Sequence, residues 1–475
     1  MADRPHEPLI SLAEASAPIP VRLVAEVDLA AALAEAGGAA AALAAAAEFK
    51  GKAGQHLTLS DGEGRTRRVL FGLGEARTAA SIRGLAAKLT PGDYVIEGSP
   101  FSSERTALAF ALGAYRFDRY KGGDAERAGR GAGRARLAVA EAGALLEARR
   151  IAHACALARD MVNTPANDMG PLQIETIARG IAHAFGAEIT VIEGDALLGE
   201  NYPAVHAVGR AAAPHRAPRM IEITWRGSKA TDASPLIALV GKGVVFDTGG
   251  LDIKPSSGMR WMKKDMGGAA HALALARLVM EADLTVRLSV LAPAVENAIS
   301  GDAMRPGDVL SSRSGLSIEV GNTDAEGRLI LADALTRAGE LEPALTIDLA
   351  TLTGAARVAL GPEVIPFYTA DDGLADEVAI AGEAEADPLW RMPLWAGYEA
   401  SLDSDIADLK NDPDAWAQAG SVTAALFLKR FAPKTGAWLH LDIFAWNSRS
   451  RPGWPMGAEA QAIRALYAVL KARYS

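Results

Sequence analysis

Cysteine is almost absent from this 475-residue chain: Cys155 is the only one. A single thiol excludes an intrachain disulfide and fits a reducing compartment. It lies in an alanine-rich helical run and reads as a small buried apolar residue, not a nucleophile. No stretch approaches the roughly 18 apolar residues of a membrane span. The opening residues, 1–7, lack a basic region followed by an apolar one, so no signal peptide is expected and a soluble cytoplasmic protein is. Positive charge is in deficit, 49 Lys and Arg against 58 Asp and Glu, which argues against broad binding along a phosphate backbone. The Gly/Arg-rich stretch 121–136 is short and lacks interleaved aromatics, so it reads as a solvated loop. Common catalytic signatures are missing too: no His-Glu-x-x-His and no Gly-x-Ser-x-Gly. Gly241-Lys242 is followed by Gly243 without the upstream glycine of a P-loop. His271, at a helix start, and His440, in a strand, read as structural.

What is present supports a large α/β protein. The length suits two or three domains, and an apolar content of 49% allows substantial cores. Residues 1–150 form a smaller α/β domain suited to packing or oligomerisation, with strands at 56–59, 68–72 and 93–96. Helices are expected at 30–47 (interrupted at Gly37-Gly38), 79–89 and 104–120. Residues 151–475 form the larger, catalytic domain. Helices at 141–162, 173–185 and 268–282 alternate with strands at 188–192, 236–240, 286–292, 344–349 and 438–443, predicting a mixed, largely parallel sheet. The continuous apolar run 236–240 suits a strand buried on both faces.

Two clusters carry the chemistry. The first is Asn322-Thr323-Asp324-Ala325-Glu326-Gly327-Arg328-Leu329. Read as extended chain, positions i, i+2 and i+4 share a face, so Asp324, Glu326 and Arg328 would converge. Adjacent carboxylates repel unless a cation or shared proton neutralises them. A divalent metal does so, with the arginine facing a bound anion; a charged turn before a helix starting near Ile330 is the competing reading. The second cluster follows the run 236–240 and holds Lys242, Asp247, Lys254 and Asp265. Gly241, Gly243, Gly249 and Gly250 among these charges would let backbone approach a ligand. In open α/β sheets ligands gather beyond the carboxyl ends of strands, where Lys242 would lie.

These segments resemble the leucyl (cytosol) aminopeptidases, two-metal exopeptidases of the M17 type. The resemblance rests on Val240-Gly241-Lys242-Gly243-Val244, Phe246-Asp247-Thr248-Gly249-Gly250, Ile253-Lys254-Pro255-Ser256, Met262-Lys263-Lys264-Asp265-Met266 and the block 322–329, matching in order and spacing. It implies metal-dependent release of N-terminal amino acids from peptides. Lys242, Asp247, Asp265, Asp324 and Glu326 would hold two divalent ions, Mn²⁺ or Zn²⁺. Such a pair lowers the pKa of a bridging water to about 7 and clamps the reacting oxygens. Lys254 would polarise the scissile carbonyl, and Arg328 would hold a bicarbonate acting as proton shuttle. Met262, Thr351, Leu352 and Gly354 would line the substrate pocket. A homohexamer is implied as well; from the composition no membrane partner is expected, and the charge balance argues against nucleic acid as one. As a ligand Lys242 must be neutral, which at pH 7 costs about 4 to 5 kcal/mol, within reach of metal-site energies of order 10 kcal/mol.

Competing readings are a salt bridge from Lys242 to Asp247 or Asp265, an exposed Arg328 paired with Glu326, a surface Lys254, and a core Met262. At the level of function they are a related dipeptidase, such as a cysteinylglycine hydrolase, or a regulatory or DNA-binding protein with a vestigial site. One departure from the family stands out. After His440-Leu441-Asp442-Ile443 the family has a small Ala-Gly pair, whereas here Phe444-Ala445-Trp446 follows. A phenyl ring in place of a methyl predicts a shallower or reshaped pocket, in which Ala or Met rivals Leu.

Overall fold

A computed structural model describes residues 7–75, 78–122, 134–413 and 418–475. The first six residues, and residues 123–133 of the expected solvated loop, lie outside the described residues. The chain divides into two compact units, residues 1–156 with 449–456, and residues 157–448 with 457–475.

The first unit is built on β1 (Leu9–Ser11), β2 (Ile19–Val24), β3 (His56–Ser60), β4 (Thr66–Gly72), β5 (Gly92–Glu97) and β6 (Ala135–Val139). They form one sheet in the order β1-β6-β5-β2-β4-β3, parallel except for the β3–β4 hairpin. Period-2 alternation in β3 turns Leu57 and Leu59 inward, where they join Ala32, Ala40, Ala44 and Phe49 in one core cluster. The alanine-rich segment makes two helices, Leu29–Ala36 and Gly38–Ala46, broken at Gly37 with φ of +97°. Two expectations fail here. Residues 79–89 form 3-10 turns, Ala79–Gly84 and Ala86–Lys88, and the next helix, Ser103–Ala114, stops well short of Tyr120. The returning segment 449–456 packs by its own chemistry: Arg83 donates to the Gly453 carbonyl at 3.1 Å and lies 4.2 Å from the Trp454 ring centroid.

The second unit contains β7 (Glu188–Glu193), β8 (Arg219–Arg226), β9 (Leu236–Gly241), β10 (Gly243–Asp247), β11 (Arg287–Asn297), β12 (Val309–Ser311), β13 (Ser317–Glu319), β14 (Leu345–Ala350), β15 (Ile365–Tyr368), β16 (Leu389–Arg391), β17 (Leu409–Lys410) and β18 (Ala437–Asp442). Its main sheet runs β16-β15-β18-β14-β9-β11-β8-β7, with β10 beside β11. β9 is flanked by parallel β14 and β11, and β18 and β10 are parallel to those neighbours; the antiparallel ladders lie toward the edges. Every residue of β9 is buried, as its unbroken apolar run requires. The helices Gly267–Glu281 and Gly327–Glu340 pack on β9. The approach of the first explains Gly241: a Cβ there would lie 2.6 Å from Ala269 Cα. Gly241 therefore serves helix packing, not the close approach of a ligand. The parallel strands β9, β10, β11, β14 and β18 end at Gly241, Asp247, Asn297, Ala350 and Asp442, and the chemistry gathers at these ends.

Candidate metal centre and substrate cleft

Lys242 leaves the end of β9 into a buried nest of acid. Its Nζ lies 2.8 Å from Asp265 Oδ2 and 2.9 Å from Glu326 Oε1, and donates to the Thr351 carbonyl at 2.9 Å. Gly327 makes room for it, since a Cβ there would fall 2.5 Å from Lys242 Cε. Lys254 mirrors this arrangement: its Nζ is 2.8 Å from Asp247 Oδ2 and also pairs closely with Asp324. Four carboxylates and two ammonium groups thus share one site with two negative charges in excess, and oxygens of Asp247, Asp265 and Glu326 lie within 4.8 Å of one another.

The carboxylates have two different ends. Asp247 Oδ1 accepts from Asn297 Nδ2 and from the Gly249 amide, each at 2.8 Å. Asp265 Oδ1 accepts from Thr351 Oγ1 at 2.8 Å. Their other oxygens face inward. Asp265 Oδ2, Asp324 Oδ1 and Glu326 Oε1 are buried, and among the described residues only the two ammonium groups stand against them. Outer oxygens fixed by neutral donors and inner oxygens turned toward positive charge is the pattern of ligands held for a cation. Hard carboxylate oxygens with one amine suit zinc, manganese or magnesium, so the residues fit divalent metal.

The electrostatics follow from burial among like charges. Burial, then Asp247, raises the Asp324 pKa to about 6, and burial with Asp247 raises Glu326 well above the usual carboxylate range. Burial alone would lower Lys242 and Lys254, but the surrounding carboxylates raise both. Burial also lowers Asp265's capacity to ionise, yet Lys242 and Lys264 hold its pKa below the ordinary value.

The local geometry corrects one expectation. Residues 324–328 are not an extended strand: Glu326 caps the helix Gly327–Glu340, which begins three residues before Ile330. Asp324 and Glu326 reach the cluster from a turn, while Arg328 points from the first helical turn to the Asn411 carbonyl, 2.6 Å away. Arg328 is buried, not exposed in a pair with Glu326, and its Nε has no hydrogen-bond partner among the described residues. Lys254 is likewise no free surface charge.

A cleft of about 650 Å³ opens over the cluster, lined by Lys242, Asp247, Lys254, Asp265, Asp324 and Arg328. Met262, Thr351, Leu352, Gly354 and Phe444 line it as well. Phe444 is half-buried, with Lys264 Nζ 4.9 Å and the Arg357 guanidinium 5.4 Å from its ring centroid. Asp442, at the end of β18, accepts from the Leu352 and Thr353 amides at 3.0 and 3.1 Å, which fixes the loop on that wall. His271 is buried with both ring nitrogens engaged, by the Gly267 carbonyl and the Gln461 amide. His440 is only half satisfied: its Nδ1 meets Asp348 at 2.5 Å, and its Nε2 has no partner.

Asn297 and the Thr351 hydroxyl have a supporting role that sequence reasoning missed. Thr351 was expected only as pocket lining, and Asn297 sits at a strand end with no motif to mark it. Thr323 also supports the cluster, linking the Gly249 carbonyl and the Asp252 amide through its hydroxyl.

Comparison with known proteins agrees with this geometry. The profile described as Cytosol aminopeptidase family, catalytic domain, matches residues 156–467, and that of the M17 aminopeptidase N-terminal domain matches residues 19–129. A probable cytosol aminopeptidase of Syntrophotalea carbinolica is 40% identical over 451 residues, covering 89% of each chain. The crystal structure of the cytosol aminopeptidase from Coxiella burnetii matches with a TM-score of 0.89 at 40% identity, over 96% of this chain and 98% of that one. The bottromycin maturation enzyme BotP, solved in complex with Mn, matches with a TM-score of 0.84 at 33% identity, over 96% and 100%.

Proposed function

Because the chain belongs to the cytosol aminopeptidase family, and is thereby a metal-dependent hydrolase acting on peptides, we propose that Lys242, Asp247, Asp265, Asp324 and Glu326 hold two divalent ions. The observation that carries this is the set of buried, inward-facing oxygens on Asp265, Asp324 and Glu326, which among the described residues meet only the Lys242 and Lys254 ammonium groups. Bound there, the ions supply Lewis-acid polarisation of the carbonyl and bring the pKa of water to about 7. Manganese or zinc suits the donor set, and the complex of BotP with Mn supports manganese.

Lys254 lines the cleft beside Asp247 and Asp324, where its ammonium serves as a donor to the oxyanion that develops on the substrate carbonyl. Lys242 gives up its proton as metal loads, since only the neutral amine donates a lone pair. Arg328, which lines the cleft with a buried Nε left over among the described residues, would hold a small anion such as bicarbonate, which would supply a proton shuttle there. Met262, Thr351, Leu352, Gly354 and Phe444 receive the substrate's first side chain. Residues 1–150 serve packing and assembly, and the assembly is a homohexamer. No described helix is long and apolar enough to cross a membrane; this and the relatives' naming as cytosol aminopeptidases support a cytoplasmic location.

The test is hydrolysis of leucyl and alanyl nitroanilides by protein stripped with a chelator. Activity should vanish and return with Mn²⁺, Zn²⁺ or Co²⁺. Full activity in metal-free protein contradicts the proposal.

A further inference from the structure

Two cations on the cleft wall lack the anion that their positions call for. Lys264 lies in the 3-10 turn Met262–Met266, between a pocket residue and a proposed metal ligand. It is only 6% exposed, yet it lines the cleft. Among the described residues no carboxylate lies within ion-pairing distance of its ammonium and no hydrogen bond holds it; Asp265 and Asp442 act on it only from further off, and the Phe444 ring centroid lies 4.9 Å away. Arg357, exposed on the helix Gly354–Leu360, lines the same cleft and approaches the same ring, again without an ion pair. Lys242 and Lys254 differ, since each has two carboxylates against it.

A buried ammonium with no carboxylate in contact is incompletely compensated. A cation over a ring is attracted to it, but the ring cannot replace a counter-charge. The compensating anion can arrive with the substrate. Lys264 sits beside Met262 and against Phe444, both on the wall proposed for the first side chain, so the group it meets there is the end of that side chain.

We infer that this pocket selects a carboxylate, so that the preferred peptides begin with glutamate or aspartate, bound by Lys264 with Arg357 at the pocket's edge. This rests on the aminopeptidase reading and on Phe444 lining its specificity pocket. It also gives Phe444 a purpose: the ring that narrows the pocket for leucine positions the two cations for an acid.

The experiment compares kcat/KM for the nitroanilides of Glu, Asp, Gln, Leu and Ala, none of which carries a peptide C-terminal carboxylate. Glu should exceed its neutral isostere Gln by roughly 10- to 100-fold, the range of a charge-assisted hydrogen bond. Lys264→Met should bring the Glu-to-Gln ratio to near one, with metal content measured on the same samples. Arg357→Gln, a change at an exposed site that folding tolerates, should lower the ratio several-fold and serves if Lys264→Met does not fold.

Hydrolysis of Leu and Ala amides with a Glu-to-Gln ratio near one overturns this inference alone and leaves the aminopeptidase reading standing. Failure to hydrolyse any aminoacyl amide at any metal loading overturns both. A preference for acid that appears only in free dipeptides, and is lost in dipeptide amides, assigns Lys264 to the peptide's C-terminal carboxylate and also overturns the inference.

Discussion

The two ends of the cleft neutralise charge in opposite ways. At the acidic end each lysine bridges two carboxylates, and the outer oxygens of Asp247 and Asp265 are fixed by Asn297, Gly249 and Thr351. At the Phe444 end Lys264 and Arg357 approach a ring, and no acid among the described residues lies within ion-pairing distance of either. The first arrangement is complete except for cations, and the second except for an anion. A reaction centre needs its donors in place before substrate arrives, so the protein supplies them all. A specificity wall can leave the last counter-charge to the substrate.

The contrast breaks most visibly at Lys254. If it acts on the developing oxyanion and not as a metal ligand, Lys254→Ala should lower kcat by about 10²- to 10³-fold while metal stays near two ions per chain by mass spectrometry. Loss of metal instead would reassign the residue. Arg328→Ala should act in the same direction more mildly, with partial recovery in added bicarbonate; no recovery at any bicarbonate concentration would count against the anion-holding role.

Next in size is the support of the ligands. Asn297→Ala removes one of two donors to Asp247 Oδ1 and should weaken metal binding about 10- to 100-fold, measured by titration with a metal-sensitive dye. An unchanged affinity would show that the fixed outer oxygen is irrelevant.

The pH dependence has a definite sign. With its pKa raised to about 6, Asp324 is ionised at pH 7 and protonated at pH 5, so protons compete with metal as pH falls. Asp324 alone should cost roughly tenfold in affinity between pH 7 and pH 5, and the proton that Lys242 must release makes affinity go on rising with pH above 7. An affinity that rises on acidification would contradict the assignment.

The smallest effect lies at the other end. Phe444→Ala removes the ring that fills the pocket and should raise kcat/KM for Leu relative to Ala by about tenfold. A loss of thermal stability with an unchanged Leu-to-Ala ratio would mean that the ring serves packing alone.

Much of this was legible in the chain because the informative residues are tied to simple local rules. The run 236–240 reads as a doubly buried strand, and the charges that follow it lie beyond a strand end in the structure as expected. The alternation of helix and strand from 141 onward likewise corresponds to observed elements such as Ala142–Asn163 and Leu345–Ala350. The route by which Asp324 and Glu326 converge was misread. A period-2 face assumes extended chain, whereas Glu326 caps a helix and Arg328 already lies within it. Asn297 was invisible because its meaning depends on β10 lying beside β11, a long-range pairing that no local pattern encodes. The 3-10 turns at 79–88 escaped for a similar reason. Gly84 interrupts the helical pattern, and the segment packs on Pro452, hundreds of residues away in sequence.

The central claim is that the buried acidic cluster exists to hold metal through those five side chains. Metal content per chain, measured after chelation and reloading with Mn²⁺, tests it most directly in the protein and in Asp324→Asn and Glu326→Gln. The account predicts about two ions per chain in the unsubstituted protein, loss of stoichiometry in both variants, and activity falling with the metal. Full metal content in both variants, or peptidase activity that persists with no metal bound, would contradict it.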